Sequence, residues 1–250
     1  MSESSLRIRQ GGSCRLLSSP KSGGTFGGPP PEPSPALSIS HYSVFMDFYG
    51  RDFIITPDVL IPRPETEQMV DMVLSLAGKP YLPGVKPGRA VLAEDLSILD
   101  IGTGSGCIAV TLKLELPKAK VVASDVSDRA LAVARENAER LKAEVKFMRA
   151  DLMDGIETQP DLVVANLPYV DEKWDWIDKK ALAAEPSLAL YAEDGGLALI
   201  KKLINQATER KIKHLVLEAD PCQHERIYEY AKEKGLTLRE TRGFILYLSE

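Results

Sequence analysis

Cysteine is scarce in this chain: Cys14, Cys107 and Cys222 are odd in number, far apart, and form no Cys-x-x-Cys pair. A disulfide framework and a structural zinc site are therefore excluded, and a reducing compartment, the cytoplasm, is expected. The histidines His41, His214 and His224 stand singly, so no metal ion is expected as a cofactor and solvent or capping roles suit them best. No run approaches the ~18 to 20 apolar residues that a membrane-spanning helix needs, so no membrane association is expected. Positive charge is in deficit, with 31 Lys and Arg against 36 Asp and Glu for a net −5. Such a surface repels a phosphate backbone over most of its area, and no stable nucleic-acid binding is expected. What is present, 250 residues of which 44% are hydrophobic, suffices for one medium domain with a sizeable core.

Large apolar side chains are also sparse in residues 1–40, a Ser-, Gly- and Pro-rich segment. Such a composition cannot offset its own ordering entropy, and disorder is expected there. No apolar stretch follows its basic residues, so it does not read as a secretory signal. It carries Arg7, Arg9, Arg15 and Lys21 against Glu3 and Glu32. That balance is +2, so with −5 overall the remainder carries −7. Residues 41–90 read as a preceding segment: apolar runs at Phe53, Ile55 and Val59 to Ile61 suggest strand and extended turn, broken by Pro57, Pro62 and Pro64. A helix is expected from about Glu65, with Met69, Val70, Val73, Leu74 and Ala77 at helical spacing, then a Pro- and Gly-rich loop over 80–88.

Residues 91–250 alternate short apolar runs with helical ones, the pattern of a parallel α/β sheet. Strands are expected at Ser97 to Ile101, Lys120 to Ser124, Val145 to Phe147, Leu162 to Ala165 and Leu215 to Leu217. Helices are expected at Cys107 to Leu116, from the N-cap Ser127 through Leu141, at Gly196 to Arg210 and at Glu225 to Lys234. The closing runs Leu236 to Glu240 and Phe244 to Leu248 are joined only by a short turn at Arg242-Gly243, so they must be antiparallel.

After the first of these strands comes Asp100-Ile101-Gly102-Thr103-Gly104-Ser105-Gly106, with glycines at alternate positions between strand and helix. Glycine admits φ > 0 and lets a ligand touch backbone. A dinucleotide fingerprint would need its third glycine at position 107, where Cys107 stands. About twenty residues on, Asp125 ends the next strand, where a carboxylate can accept both hydroxyls of a ribose. An adenosine ligand without pyrophosphate is implied. The blander alternative is a tight turn at the glycines and a helix-capping Asp125. Together the features resemble the S-adenosylmethionine-dependent methyltransferases of the Rossmann-like class.

The fourth strand ends in Asn166-Leu167-Pro168-Tyr169, at the carboxyl edge where open α/β sheets bind ligands. A planar amide or exocyclic amine is a poor nucleophile that must be aimed. The Asn166 side-chain oxygen and the Leu167 backbone carbonyl can each accept one N–H of such a group, and Tyr169 can pack on its plane. The tetrapeptide resembles the Asn-Pro-Pro-Tyr motif of amino-methyltransferases acting on adenine and on glutamine, departing at Leu167.

Flanking segments narrow the resemblance. Phe48-Tyr49-Gly50, then Val59-Leu60-Ile61-Pro62-Arg63-Pro64-Glu65-Thr66-Glu67, Glu185-Pro186-Ser187-Leu188-Ala189-Leu190 and Glu193-Asp194-Gly195-Gly196 resemble the HemK-type peptide chain release factor glutamine methyltransferases over residues 42–250. The resemblance implies a Rossmann-like class I methyltransferase, a mostly parallel seven-stranded sheet with an antiparallel C-terminal hairpin and helices on both faces; a monomer is expected. It implies S-adenosylmethionine as cofactor and a release factor as protein partner, methylated on the glutamine of its Gly-Gly-Gln loop. Cofactor contacts fall on Gly102, Thr103, Gly104, Ser105, Gly106, Asp125, Leu152 and Asn166. Leu152 stands where the family often has an aromatic. Asn166 and Tyr169 carry catalysis, with Leu167 and Pro168 completing the substrate loop. Family members usually begin with a helical domain that helps hold the release factor, and here the Ser/Gly/Pro-rich segment stands in its place. Two other readings remain, adenine-amino methylation of RNA or DNA and a cofactor-binding module without transfer. Trp174, Ile177 and Ala181 read as a local helix face or a flap over the substrate, and Arg63 as a helix-entry residue or part of the cofactor mouth.

Overall fold

The computed structural model describes residues 43–80, 90–177, 182 and 185–250. The expectations for the tail over 1–40, for His41, for most of the loop after Pro80 and for Ala181 lie outside the described residues.

The chain enters through a hairpin of β1 (Val44–Phe48) and β2 (Arg51–Ile55) in antiparallel register, Val44 opposite Ile55. The two-residue turn Tyr49-Gly50 has φ of 56° and 70°, the left-handed pair that matches the twist of a hairpin. Only the second strand was expected from the sequence. Val59, Leu60 and Ile61, read within a strand and extended turn, form no strand: the Val59 amide closes a turn on the Thr56 carbonyl at 3.2 Å, and Pro62 and Pro64 offer no amide to a ladder. A single-turn helix at Pro64–Thr66 then runs into α1 (Glu67–Leu76).

The main sheet comprises β3 (Ser97–Ile101), β4 (Lys120–Asp125), β5 (Lys146–Arg149), β6 (Leu162–Ala165), β7 (His214–Glu218), β8 (Thr237–Arg242) and β9 (Ile245–Ser249). Their order is β5-β4-β3-β6-β7-β9-β8. The first five are mutually parallel, while β9 pairs antiparallel with both β7 and β8. The fold expected from the sequence is therefore present, and each strand and helix expected over residues 91–250 is found within two residues of its expected limits.

Period-two alternation sorts side chains between two cores. Ile98, Val121, Ala123, Leu162, Val164 and Val216 face α1, α2 (Cys107–Glu115) and α3 (Asp128–Leu141), together with the hairpin residues Phe48 and Phe53. Leu99, Ile101, Val163, Ala165, Leu215 and Leu217 face α4 (Ala198–Glu209) and α5 (His224–Glu233). The sheet is thus covered on both faces, and its exposed working surface is the carboxyl edge of β3, β4, β6 and β7. Two charged residues break the apolar pattern at that edge on the α1 and α2 side, Asp100 and Glu218, 0% and 1% exposed.

Candidate active site

At the left of the edge, β3 opens into the glycine turn. The amides of Gly102 and Thr103 bond the Ser124 carbonyl at 2.9 Å, so the turn begins as an extension of the β3–β4 ladder. Gly102, Gly104 and Gly106 all have positive φ, and two of them differ instructively. A Cβ on Gly106 would stand 3.1 Å from Ala134 of α3, so this glycine lets α2 start against α3. A Cβ on Gly104 would meet nothing within 4 Å, so this glycine leaves backbone open to an incoming ligand.

Asp125 is tied to this turn. Its Oδ2 accepts from the Gly104 amide and its Oδ1 from the Ser127 amide, both at 2.9 Å. Helix capping is done by Ser127, whose Oγ accepts from the Ala130 amide at 3.2 Å. Asp125 is therefore not the cap of α3. A carboxylate has about four acceptor positions, so after two backbone bonds it keeps capacity for two hydroxyls. Burial raises its carboxyl pKa against the lowering effect of the backbone amides. Asp100 lies beneath: Thr103 Oγ1 donates to its Oδ2 at 2.6 Å, while Oδ1 is buried without a partner. Desolvation pushes Asp100 up to about 7, opposed by the Thr103 hydroxyl and the Ala109 amide.

Asn137, in the middle of α3, underpins the whole turn. It is 0% exposed. Its Oδ1 accepts from the Ile54 amide at 2.7 Å, and its Nδ2 donates to the carbonyls of Ile54 and Ser105, each at 2.9 Å. One side chain thus satisfies the hairpin backbone and the glycine turn together. Leu152, expected among the cofactor contacts, follows β5 with a left-handed φ of 53° and is buried in the α4-side core.

The right half of the edge is built around Asn166 to Tyr169. Leu167 is buried, its Cδ2 lying 3.1 Å from where a Gly102 Cβ would stand. Its side chain therefore wedges the loop against the glycine turn, an anchorage that the proline of the usual motif would supply through ring rigidity. Asn166 Nδ2 donates to Thr66 Oγ1 at 3.2 Å, and Asn166 Oδ1 takes no hydrogen bond from the described residues. The Tyr169 hydroxyl donates to Glu218 Oε1 at 3.3 Å. Burial, then the negative charge of Glu218, raises the phenol pKa.

Gln223, buried after β7, donates through Nε2 to the carbonyls of Tyr169 and Gly195, both at 2.8 Å. Gly196, at φ 82°, fits under this clamp because a Cβ there would sit 1.8 Å from the Tyr169 carbonyl oxygen. The Glu193-Asp194-Gly195-Gly196 segment is thus a backbone support for the loop. Arg63 Nη2 donates to Glu185 Oε1 at 2.5 Å while Glu185 Oε2 accepts from the Ile61 amide at 3.0 Å. The two landmark segments bearing Arg63 and Glu185 are therefore one structural unit, and Arg63 is engaged there. Beyond it, Leu190 and Ala192 bond Val170 at 3.0 Å. Trp174 stacks on Trp176 with ring centroids 5.0 Å apart, and Trp176 is 64% exposed.

Among the site residues expected from the sequence, Gly104 and Asp125 are joined by a direct hydrogen bond, Leu167 packs against Gly102, and Asn166 and Tyr169 are each tied to residues of other segments. Thr66, Asn137, Gly196, Glu218 and Gln223 were missed as site residues. Thr66 and Gly196 lay within quoted motifs, and an acidic residue closing an apolar strand at Glu218 was a usable signal.

Residues 89–218 match the model of the methyltransferase small domain family. The chain is 45% identical over 166 residues to the release factor glutamine methyltransferase of Koribacter versatilis, covering 65% of this chain and 55% of that protein. It is 36% identical over 196 residues to the release factor glutamine methyltransferase of Enterococcus faecalis, covering 78% and 62%. The chain thus spans a little over half the length of these curated relatives. Among solved structures, the ribosomal protein L11 methylase of Lactobacillus delbrueckii subsp. bulgaricus aligns with a TM-score of 0.52 at 20% identity, covering 78% of this chain and 83% of that one, a likeness of fold. With more than half of its residues under the family model, and with that model's span reaching from the approach to β3 to the end of β7, the chain belongs to the methyltransferase small domain family.

Proposed function

We propose that the chain transfers a methyl group from S-adenosylmethionine to the side-chain amide nitrogen of the glutamine in the Gly-Gly-Gln loop of a peptide chain release factor. The residues at the left of the edge suit the cofactor. Asp125 keeps acceptor capacity for two ribose hydroxyls, Gly104 leaves its Cβ space open, and Asp100 Oδ1 is an orphaned acceptor beside the turn. Gly102, Thr103, Ser105 and Gly106 would frame the ligand by backbone, and Leu152 would close the purine side. When bound, the cofactor supplies an electrophilic methyl on a sulfonium sulfur.

The observation that carries the reading is the tether of Asn166 Nδ2 to Thr66, which turns the donor end of the amide toward the protein and leaves Oδ1 to accept. Asn166 Oδ1 and the Leu167 carbonyl would each take one N–H of the acceptor amide and turn its nitrogen lone pair toward the methyl. Tyr169 would pack on the amide plane and exclude water. The acceptor nitrogen needs no proton removed before it attacks, so the loop's work is alignment. The names of the relatives support glutamine over adenine as acceptor. No helix of the described residues is long and apolar enough to cross a membrane.

The test is transfer of labelled methyl from S-adenosylmethionine to a purified release factor, beside a Gly-Gly-Gln loop mutant and total RNA. Label on the intact loop alone is expected. Label on RNA would establish adenine as the acceptor instead, and cofactor binding without label anywhere would make the chain a binding module.

A further inference from the structure

Among the described residues, Glu218 is the one carboxylate buried among the transfer-loop side chains, and nothing in the proposed reaction uses it. It closes β7, is 1% exposed, and faces three segments distant in sequence. Tyr169 donates to Oε1, and Oε2 has no hydrogen-bond partner. The Thr66 hydroxyl, then the Tyr169 hydroxyl and the Asn166 amide, act on the carboxylate from beside it and favour its charged form. Asn166 Nδ2 already donates to Thr66 Oγ1, so the single Thr66 proton is free to point toward Glu218.

We propose that Glu218 is a positioning residue for methyl transfer: its ionised carboxylate is the shared acceptor that fixes Thr66, Asn166 and Tyr169 in the arrangement that presents Asn166 Oδ1 to the acceptor amide. The proposal rests on the reading of Asn166 as the aiming group. A carboxylate only accepts, so with it charged the hydrogens run one way, from Asn166 to Thr66 to Glu218 and from Tyr169 to Glu218. A protonated carboxyl must donate to one of these neighbours and reverses part of that order, which releases the Asn166 amide from its single orientation.

The charged and titratable groups around it are Glu65 in the turn before α1, Cys107 at the start of α2, and Tyr169, whose phenol also feels Arg63 and Asp220. β9 meets Glu218 through the neutral Ile245. Desolvation first, and Glu65 further down, push Glu218 up to about 7 against the three hydrogen-bonding neighbours. Cys107 is pushed up to about 12 and stays protonated throughout. Asp100 also reaches about 7 but belongs to the cofactor half, so substitution at 218 separates the two.

The experiment uses the full chain labelled with 15N-asparagine. Its sequence holds only Asn137, Asn166 and Asn205, and the spectrum of Asn166→Ala assigns the side-chain amide of Asn166. Followed from about pH 5.5 to about 9, that amide is expected to titrate with a midpoint near 7 in the parent chain and to stay flat in Glu218→Gln. In the transfer assay, kcat of the parent should rise through the same interval, while Glu218→Gln should lack that limb and lie between about tenfold and a hundredfold lower at pH 8. The dissociation constant for S-adenosylmethionine should remain within about twofold. If Glu218→Gln does not fold, Thr66→Val decides: it should lower kcat while the carboxyl still titrates. An Asn166 amide insensitive to pH, a limb unchanged in Glu218→Gln, or full kcat in both variants would overturn the proposal. The amide titration needs no acceptor, so a parent chain that titrates but labels no release factor would refute the substrate reading and leave this one standing.

Discussion

The two halves of the sheet edge are assembled by opposite rules. On the cofactor side, Asp100, the glycine turn and Asp125 lie within about one β-α-β unit, and their hydrogen bonds join residues 3 to 21 positions apart. On the transfer side, Asn166 reaches back 100 positions to Thr66, and Tyr169 reaches forward 49 to Glu218 and 54 to Gln223. A site built from neighbours in sequence holds its shape wherever its strands pair. A site built from distant segments holds its shape only when the entire domain has closed around it. The first suits a ligand common to many reactions and the second a function in which aim is specific.

The sharpest way to break the comparison is at Gly196. A methyl there collides with the Tyr169 carbonyl at 1.8 Å and with Gln223 Nε2 at 2.5 Å, and a rigid backbone atom cannot step aside. Gly196→Ala is expected to cost more than about 4 kcal/mol or to prevent folding. Gly104→Ala, with open space at its Cβ but φ 54°, is expected to cost only about 1 to 2 kcal/mol. Urea unfolding of both compares them directly, and equal costs would mean that the transfer half tolerates displacement.

Each half also hides one carboxyl with a partnerless oxygen, Asp100 and Glu218, both pushed up to about 7 by burial. Because the folded pKa exceeds the unfolded one, the native state holds more protons between roughly pH 4 and pH 7, and stability must fall as pH rises through that window. Each group contributes a loss on the order of 3 to 4 kcal/mol. Asp100→Asn and Glu218→Gln should each remove part of the slope in unfolding free energy measured at pH 5 and 7.5. A parent chain that gains stability over the same window would refute both assignments.

Asn137→Ala is expected to cost about 3 kcal/mol, because it leaves the Ile54 amide and carbonyl and the Ser105 carbonyl unsatisfied in the core. It should also weaken cofactor affinity through Ser105, a coupling that equilibrium binding would detect. The smallest of these effects falls on Asp125→Ala, which should weaken S-adenosylmethionine binding between about tenfold and a hundredfold while sparing kcat at saturation. Calorimetric titration beside saturating turnover measures both quantities.

This division also explains what the sequence disclosed. The strands Ser97–Ile101 and Leu162–Ala165 were legible to the residue because both are buried on two faces, the second as a continuous apolar run and the first as one interrupted only by Asp100. Ser127 declared itself as a cap through local chemistry. The hairpin strand Val44–Phe48 was hidden because its turn is Tyr49-Gly50, where the left-handed pair is more often Asn-Gly or Asp-Gly. Asn137 lies in the buried stripe of α3, but one polar side chain in an apolar stripe does not reveal which backbone it will meet. Thr66 and Gln223 were silent for the same reason, since their roles exist only after tertiary contacts join segments 54 to 100 residues apart.

The central claim is that the edge divides its labour, with binding on the left and aim on the right. It is tested most directly in Asn166→Ala, by measuring cofactor affinity and single-turnover methyl transfer on the same preparation. The account predicts that transfer is lost while affinity stays within a few-fold of the parent chain. Transfer at the parental rate, or a loss of affinity that accounts for the loss of rate, would contradict it.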